Sequence, residues 1–439
     1  MFVALGINFL ETNLMANKKF KEKDKFIIFA DVPPMATEER LKKYVEAGFT
    51  YYNHTEDYVV RDKEGGGVTD DYYSYIDAAH KAGLKVVLRT MRRNSADYYD
   101  GITDEFKGKV EGFYIADEPS FYYVDWYGST TIEKLQKQVA WYNKYGRDEN
   151  TIFHVNLLQD YGMRLVHKQV PKYEEYLDTY IKTVLKKVEG EKSLSTDHYP
   201  VAFDENGYHI KESALKDYYL IADRSKTLKQ EGHDIRTCFC IQLVEDKGLH
   251  IRTPECLEDI IFQTNFAIAF GAKMLEYYKY VGNVDGILRN KEKQDTYVPM
   301  YDWVKEANRR VNLIGKYILK YDWVSTKTSL GTKVVDQHNV NAFNTVTAFE
   351  PSDFSVLKCF ESTADAIVSE FVSDDGYAYM AVNYTEPTAG VINEVTFDLG
   401  DVTKVMVVKE GVREDKQTDN GKITVSLKSG EGVLVIPTK

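Results

Sequence analysis

Cysteine is scarce in this chain, with four residues in 439, at Cys238, Cys240, Cys256 and Cys359. Four thiols at these spacings make no disulfide framework, so the fold must rest on a hydrophobic core. Cys238-Phe239-Cys240 sits inside an apolar run and reads as two buried thiols rather than two metal ligands. Positive charge is also short: 56 Lys and Arg stand against 68 Asp and Glu, a net charge of -12. Phosphates would be repelled, which argues against nucleic acid and anionic membranes as partners. No apolar run approaches the ~18 residues that a membrane-spanning helix needs. The N-terminal "MFVALGINFLETNLMANKKF" lacks a basic leader region, and its apolar stretch is too short for a secretory signal. We therefore expect a cytoplasmic protein, or an exported one if a leader was removed.

Several catalytic signatures are missing as well. There is no glycine-rich phosphate loop and no G-x-S-x-G turn for a nucleophilic serine. The first strand carries Asp31 where a barrel metalloenzyme would carry His-x-His, and His54, His154 and His198 are scattered over different strands. Neither a metal nor another cofactor is expected. Tyrosine, by contrast, is abundant, with 33 residues in an aromatic content of 13%. Its flat apolar face and its hydroxyl suit sugar binding as well as core packing.

Short apolar runs and helix-period segments alternate from residue 26 onward. The strand-like runs are Phe26–Pro34, Phe49–Thr55, Lys85–Arg92, Val110–Ser120, Thr151–Gln159, Ser193–Val201, Ile235–Val244 and Lys273–Tyr280. Between them lie segments such as "TEERLKKYVEAG", with Thr37 as N-cap and Gly48 as stop, and a weaker helical stretch around Ser95–Phe106. Eight strand–helix units over about 300 residues are what a (β/α)8 (TIM) barrel requires. Strands apolar on both faces fit a parallel sheet covered on both sides. A doubly wound open sheet competes, but Pro33-Pro34 occupies the place of its Gly-rich first turn. After Trp323 long helices vanish, and segments such as "YAYMAVNY" and "TKVMVVKEG" predict an antiparallel β-sandwich. The expected organisation is an N-terminal extension (1–25), a barrel (26–325) and a C-terminal β-sandwich (326–439).

Active sites of such barrels form at the C-terminal ends of the strands. Those ends carry Asp31, Asn53-His54, Arg89, Asp117-Glu118, Asn156, Asp197-His198-Tyr199, Gln242, and Glu276 with Tyr278. Paired carboxylates among amides and aromatic platforms are the equipment of glycoside hydrolysis, so a carbohydrate substrate is expected. The sharpest of these ends is "VEGFYIADEPS", an apolar run that stops on two acids. Adjacent strand residues face opposite ways, so Asp117 and Glu118 can serve together only if the strand has ended there. Pro119 favours that ending. The aromatics of the following loop "FYYVDWYG", Trp126 above all, are expected to wall a sugar subsite.

"ADEPS" resembles the N-E-P strand end of the large retaining glycosidase clan with (β/α)8 barrels, especially its β-galactosidase-like branches. "GAKMLEYYKY" resembles the clan's eighth strand, and "SGEGVLVIP" the last strand of its C-terminal sandwich. The resemblance covers the architecture of most of the chain through short motifs. It implies that Glu118 matches the general acid/base. Asp117 stands where the clan has an Asn that contacts the sugar beside the scissile bond. The clan's nucleophilic Glu at the end of strand seven is replaced by Gln242, which cannot attack. Three carboxylates can supply the second function. Asp197 has an aromatic and an imidazole beside it. Glu276 is in phase with Tyr278 and is favoured as nucleophile because the resemblance is to a retaining clan. Asp117 is the third, since an Asp-Glu pair also resembles the N-acetylhexosaminidases, in which the Asp orients the substrate's own acetamido group. Asp31, Asn53, His54, Arg89, Asp117, Trp126, Asn156, His198, Tyr199, Gln242 and Tyr278 are expected to bind substrate. A sugar-binding protein on a degenerate hydrolase barrel is the alternative from a different class.

Overall fold

The computed structural model describes residues 25–54, 70–89, 108–119, 121, 131–162, 172–282, 284–291, 294–329 and 342–438. Eight parallel strands make one sheet: β1 (Ile27–Ala30), β2 (Tyr51–His54), β3 (Lys85–Arg89), β4 (Val110–Asp117), β5 (Ile152–Leu157), β6 (Glu191–Thr196), β7 (Ile235–Gln242) and β8 (Met274–Tyr278). Their order is β1-β8-β7-β6-β5-β4-β3-β2, the order of a barrel cut open at one seam. Thr50 stitches that seam. Its amide donates to the Ile28 carbonyl at 2.9 Å, and its hydroxyl accepts from the Ile28 amide and donates to the Phe26 carbonyl.

Around the strands run α1 (Glu38–Glu46), α2 (Asp70–Lys81), α3 (Ile132–Trp141), α4 (Tyr173–Thr183), α5 (Glu212–Gln230), α6 (Leu257–Ala269) and α7 (Met300–Ile318). α1 buries Leu41 and Tyr44 on one face, as its 3.6-residue period dictates, and Thr37 caps it through backbone geometry without a side-chain bond. It stops before Gly48, whose φ of +84° is the left-handed conformation that glycine adopts without penalty. The helical stretch expected around Ser95–Phe106 lies outside the described residues.

α6 is different, because every residue from Asp259 to Ala269 is buried. A helix without a wet face must lie between two layers. α6 lies between the barrel and the C-terminal sheets, with Phe262 and Phe266 facing Tyr384 at ring-centroid distances of 6.0 and 5.7 Å.

The C-terminal part is antiparallel throughout, with β9 (Asp322–Thr328), β10 (Cys359–Ser362), β11 (Ala366–Ser373), β12 (Gly376–Asn383), β13 (Asn393–Asp398), β14 (Lys404–Lys409), β15 (Val412–Gln417), β16 (Lys422–Leu427) and β17 (Gly432–Thr438). A six-stranded sheet, β9-β11-β12-β17-β14-β15, faces a three-stranded one, β10-β13-β16. Alternate residues such as Val368, Tyr379, Val395, Phe397 and Val425 fill the space between them. β9 already pairs with β11 from Asp322, so the sandwich begins earlier than residue 326. Among the described residues no helix is long and apolar enough to cross a membrane.

Candidate active site

β4 explains how one strand delivers two acids to the same mouth. Against β5, Tyr114 pairs with His154 and Ala116 with Val155, so Ile115 is an extra residue, a bulge. Tyr114 belongs to the barrel's interior cluster with Phe29, Ile152 and Met274, whereas Ile115 and Ala116 join the core outside the sheet. After the bulge the phase is reset, and Asp117 faces inward beside Asn156. Glu118 then leaves the strand with a φ of +46°, a left-handed conformation costing a non-glycine residue roughly 1–2 kcal/mol. Its amide donates to the Asn156 carbonyl at 2.9 Å, and Tyr176 of α4 donates to the Pro119 carbonyl at 3.0 Å, which fixes the turn.

One corner of the mouth is organised by Arg89, the last residue of β3. Its Nη1 pairs with Asp31 and its Nη2 with Asp117 at 2.9 Å, so one guanidinium ties β1, β3 and β4 together. The other carboxylate oxygen of Asp117 accepts from Tyr114 Oη at 3.0 Å and Asn156 Nδ2 at 3.1 Å. Ser195 in turn donates to Asn156 Oδ1 at 3.0 Å. Asn53 reaches Asp31 at 3.5 Å, while among the described residues its own buried Oδ1 has no partner. Arg89 also lies over the Tyr114 ring, 4.8 Å from its centroid.

The other corner is an acid pair. Asp197, just beyond the end of β6, lies close enough to Glu118 for the two carboxyls to interact. Two ionised carboxylates so close repel each other, which favours keeping a proton on one of them. Burial pushes the Asp197 carboxyl well up, and the charge of Glu118 pushes it further. Asp197 is buried and Glu118 is exposed, so the acid that keeps the proton sits behind the one that faces solvent. Among the described residues, the buried Asp197 Oδ1 has no hydrogen-bond partner. Among the described residues Asp197 makes no ion pair.

Glu276, expected as the nucleophile, lies beneath this ring. It pairs with Phe29 of β1 rather than with Asp31, is 1% exposed, and is held by His154 Nε2 at 3.2 Å. Tyr114 reaches it as well. Burial, then the charges of Asp31 and Asp117, raise its carboxyl well above the usual range, which favours the neutral acid. His154 is pushed down to about 3 by burial and the charge of Arg89, so it is a neutral imidazole, and its Nδ1 meets Ser193 Oγ at 2.6 Å. Glu276, expected as the nucleophile, is thus buried beneath a layer of side chains and held by His154 rather than placed at the mouth.

Two expected sugar contacts point elsewhere. His198 uses Nδ1 on Asp217 of α5 at 2.6 Å and Nε2 on Ser213 at 3.1 Å, and it is fully buried against that helix. Gln242 has its side-chain amide committed to the backbone of Val201 and Arg252. Both are therefore corrected from substrate contacts to anchors. Tyr199 and Tyr278 stack at 6.3 Å and 22° beside Cys240, forming an aromatic wall next to Asp197. Of His54 only the backbone is described, at the end of β2, and Trp126 lies outside the described residues. Residues not singled out from the sequence also belong here. Tyr114, His154 and Ser195 extend the network inward, and Tyr161 is close enough to Asp197 and Glu118 for both charges to raise its hydroxyl, after burial. The inward phase of β5 could have pointed to His154, but nothing distinguishes Tyr161 among so many tyrosines.

No protein-family model matches the chain, and no curated protein matches it by sequence. Solved structures do. The chain resembles a family 39 glycoside hydrolase from the gut symbiont Bacteroides cellulosilyticus WH2, at 12% identity and a TM-score of 0.51, over 95% of this chain and 82% of that one. It also resembles another glycoside hydrolase at 14% identity and a TM-score of 0.52, over 94% and 93% of the two chains. Its fold, a TIM barrel with a C-terminal antiparallel β-domain, is thus one that glycoside hydrolases use. At such identities the likeness is one of fold, and the chemistry must be argued from the residues.

Proposed function

We propose that the barrel mouth hydrolyses a glycosidic bond, with Glu118 as general acid/base and Asp197 as its proton-sharing partner. The observation that carries this reading is the approach of two acids from the ends of β4 and β6, one buried and one exposed, with the buried carboxyl raised by burial and by its neighbour. Before a sugar binds, Asp197 holds the proton and Glu118 faces solvent. A sugar oxygen arriving at Glu118 takes the place of solvent, and the proton moves through the pair to the leaving group. Direct contact is far shorter than the ~5–5.5 Å or ~6.5–9.5 Å that brackets a scissile bond between two carboxyls. The pair therefore works from one side of the bond, as one proton-exchanging unit, and attack comes from the opposite side. Asp117, held by Arg89, Tyr114 and Asn156, supplies a fixed acceptor for a hydroxyl or N–H of the bound sugar. Tyr199 and Tyr278 supply flat apolar surface for its ring.

A second reading, substrate-assisted hydrolysis, is favoured by one observation. Of the expected partner carboxylates, Asp117 is engaged by Arg89, which also holds Asp31, and Glu276 lies beneath them. A substrate acetamido group would then be the attacking nucleophile, oriented by Asp117. A sugar-binding protein without turnover is the remaining alternative. A panel of nitrophenyl glycosides, with and without a 2-acetamido group, separates the three. Hydrolysis by wild type should fall about 10²–10⁴-fold in Glu118→Gln while sugar binding persists, because the proton is lost and the shape kept. Retention of more than about a tenth of the activity would refute Glu118 as the acid/base.

A further inference from the structure

We infer that Gln242 is a positioning residue for Asp197, fastening the segment Asp197–Val201 to the end of β7 through bonds that only an amide can make. The inference rests on the hydrolase reading above and deepens it. Gln242 Oε1 accepts from the Val201 amide at 3.3 Å, and Nε2 donates to the Val201 carbonyl at 3.1 Å. Nε2 also donates to the Arg252 carbonyl. One fully buried side chain thus grips Val201 on both its backbone groups and a second segment besides.

The anchor is itself anchored. Gln263 of α6 clamps the backbone of Gln242, accepting from its amide at 2.7 Å and donating to its carbonyl at 3.3 Å. One turn earlier on α6, Asp259 receives both arms of the Arg252 guanidinium at 2.7 and 2.5 Å. Arg252 reaches on to Glu386 of the sandwich at 2.7 Å. The segment after Asp197 is also held at His198 by α5 and at the Pro200 carbonyl, which accepts from the Lys211 amide at 2.9 Å. Pro200, with its fixed φ, passes the restraint at Val201 back along a short, stiff stretch. Asp197 is left where the chain departs from β6, its carboxyl aimed at Glu118.

The chemistry at this position is asymmetric. Nε2 donates to two carbonyl oxygens, of which that of Val201 also accepts from the Arg252 amide at 3.4 Å. An ionised glutamate of the same shape has no donor and would face two acceptors as a buried charge, while a protonated one has a single O–H for the two oxygens. The end of the seventh strand, where the related clan implies a nucleophilic Glu, thus needs Gln here. A Glu at 242 would point between Val201 and Arg252, not at the mouth.

The test uses the full chain as wild type, Gln242→Glu and Gln242→Met. The Met variant removes the hydrogen bonds without burying a charge, and serves if the Glu variant does not fold. Hydrogen exchange by mass spectrometry reads the segment 197–203, and kcat and KM are measured on whichever nitrophenyl glycoside wild type cleaves. Exchange across 197–203 should speed up in both variants while β1–β3 stay unchanged. Turnover should fall by about tenfold or more with KM within about threefold, the split expected when a group acting in the transition state loses its place. Unchanged exchange and kcat in Gln242→Met would overturn the inference. So would a drop in melting temperature with kcat intact, or a rise of kcat in Gln242→Glu. If wild type cleaves nothing while both variants loosen 197–203, the anchor stands and the hydrolase reading alone falls.

Discussion

Two corners of one barrel mouth hold carboxylates, and they are neutralised in opposite ways. Around Arg89, Asp31 and Asp117 face a single guanidinium, with Tyr114 and Asn156 completing the bonds of Asp117. Around Asp197, a second carboxyl takes the place of the cation. A guanidinium compensates charge permanently, since it does not lose its proton in proteins. A carboxyl partner compensates only by sharing a proton, which can then be given away. On the proposed reading the first corner holds a sugar and the second reacts with it. Residue type does not separate them, because both are built from strand-end acids.

The comparison breaks most visibly if the acid pair loses a member. Asp197→Asn should lower turnover by about 10²–10⁴-fold, measured as kcat on a cleaved glycoside. The same variant should alter the pH dependence of stability. Asp197 has a folded pKa raised above its unfolded value, so its stabilising contribution is present below the unfolded pKa and lost as pH rises through the folded one. The Asn variant escapes that loss. Its melting temperature should gain on wild type from acid to alkaline pH, and a constant difference across the range would contradict the assignment.

Arg89→Met tests the other corner. Removing the guanidinium leaves Asp31 and Asp117 facing each other, and breaking a largely buried ion pair by deleting one partner costs about 3 kcal/mol. Urea unfolding should show that loss, and a change below about 1 kcal/mol would mean the corner is solvated like a surface bridge.

Glu276→Gln should have the smallest effect. It replaces a buried carboxyl raised above its usual range by a neutral amide beside His154, so turnover should stay within about threefold, and the variant's stability should gain on wild type as pH rises, where the raised carboxyl would have to ionise. A loss of several hundredfold would restore Glu276 as a reacting group. His154 sets the acid limit: with a folded pKa near 3 against about 6.5 unfolded, its contribution is lost as pH falls through that interval.

The alternation of apolar runs and helix-period segments made the barrel legible, because both periods follow from backbone geometry. The same logic brought Asp31, Arg89, Asp117, Glu118, Asn156 and Asp197 to one mouth, since strand ends converge there. Depth along the barrel was not legible. Alternation tells which face Glu276 occupies, but not that it lies beside Phe29, below Asp31. The bulge at Ile115, which brings Asp117 into phase with Tyr114, left no signal in an all-apolar run. Orientation past the strand ends was equally hidden: His198 turns toward Asp217 and Gln242 toward Val201, choices made by tertiary partners far along the chain.

The central claim is that Asp197 and Glu118 share one proton. Carbon-13 NMR of the aspartate side-chain carboxyls, titrated in wild type and in Glu118→Gln, tests it most directly. The account predicts that Asp197 titrates well above the ordinary aspartate value of about 4 in wild type. In the variant its value should fall, since the neighbouring charge is gone, yet stay raised by burial. An Asp197 that titrates at the ordinary value in wild type, or that does not respond to Glu118→Gln, would contradict the claim.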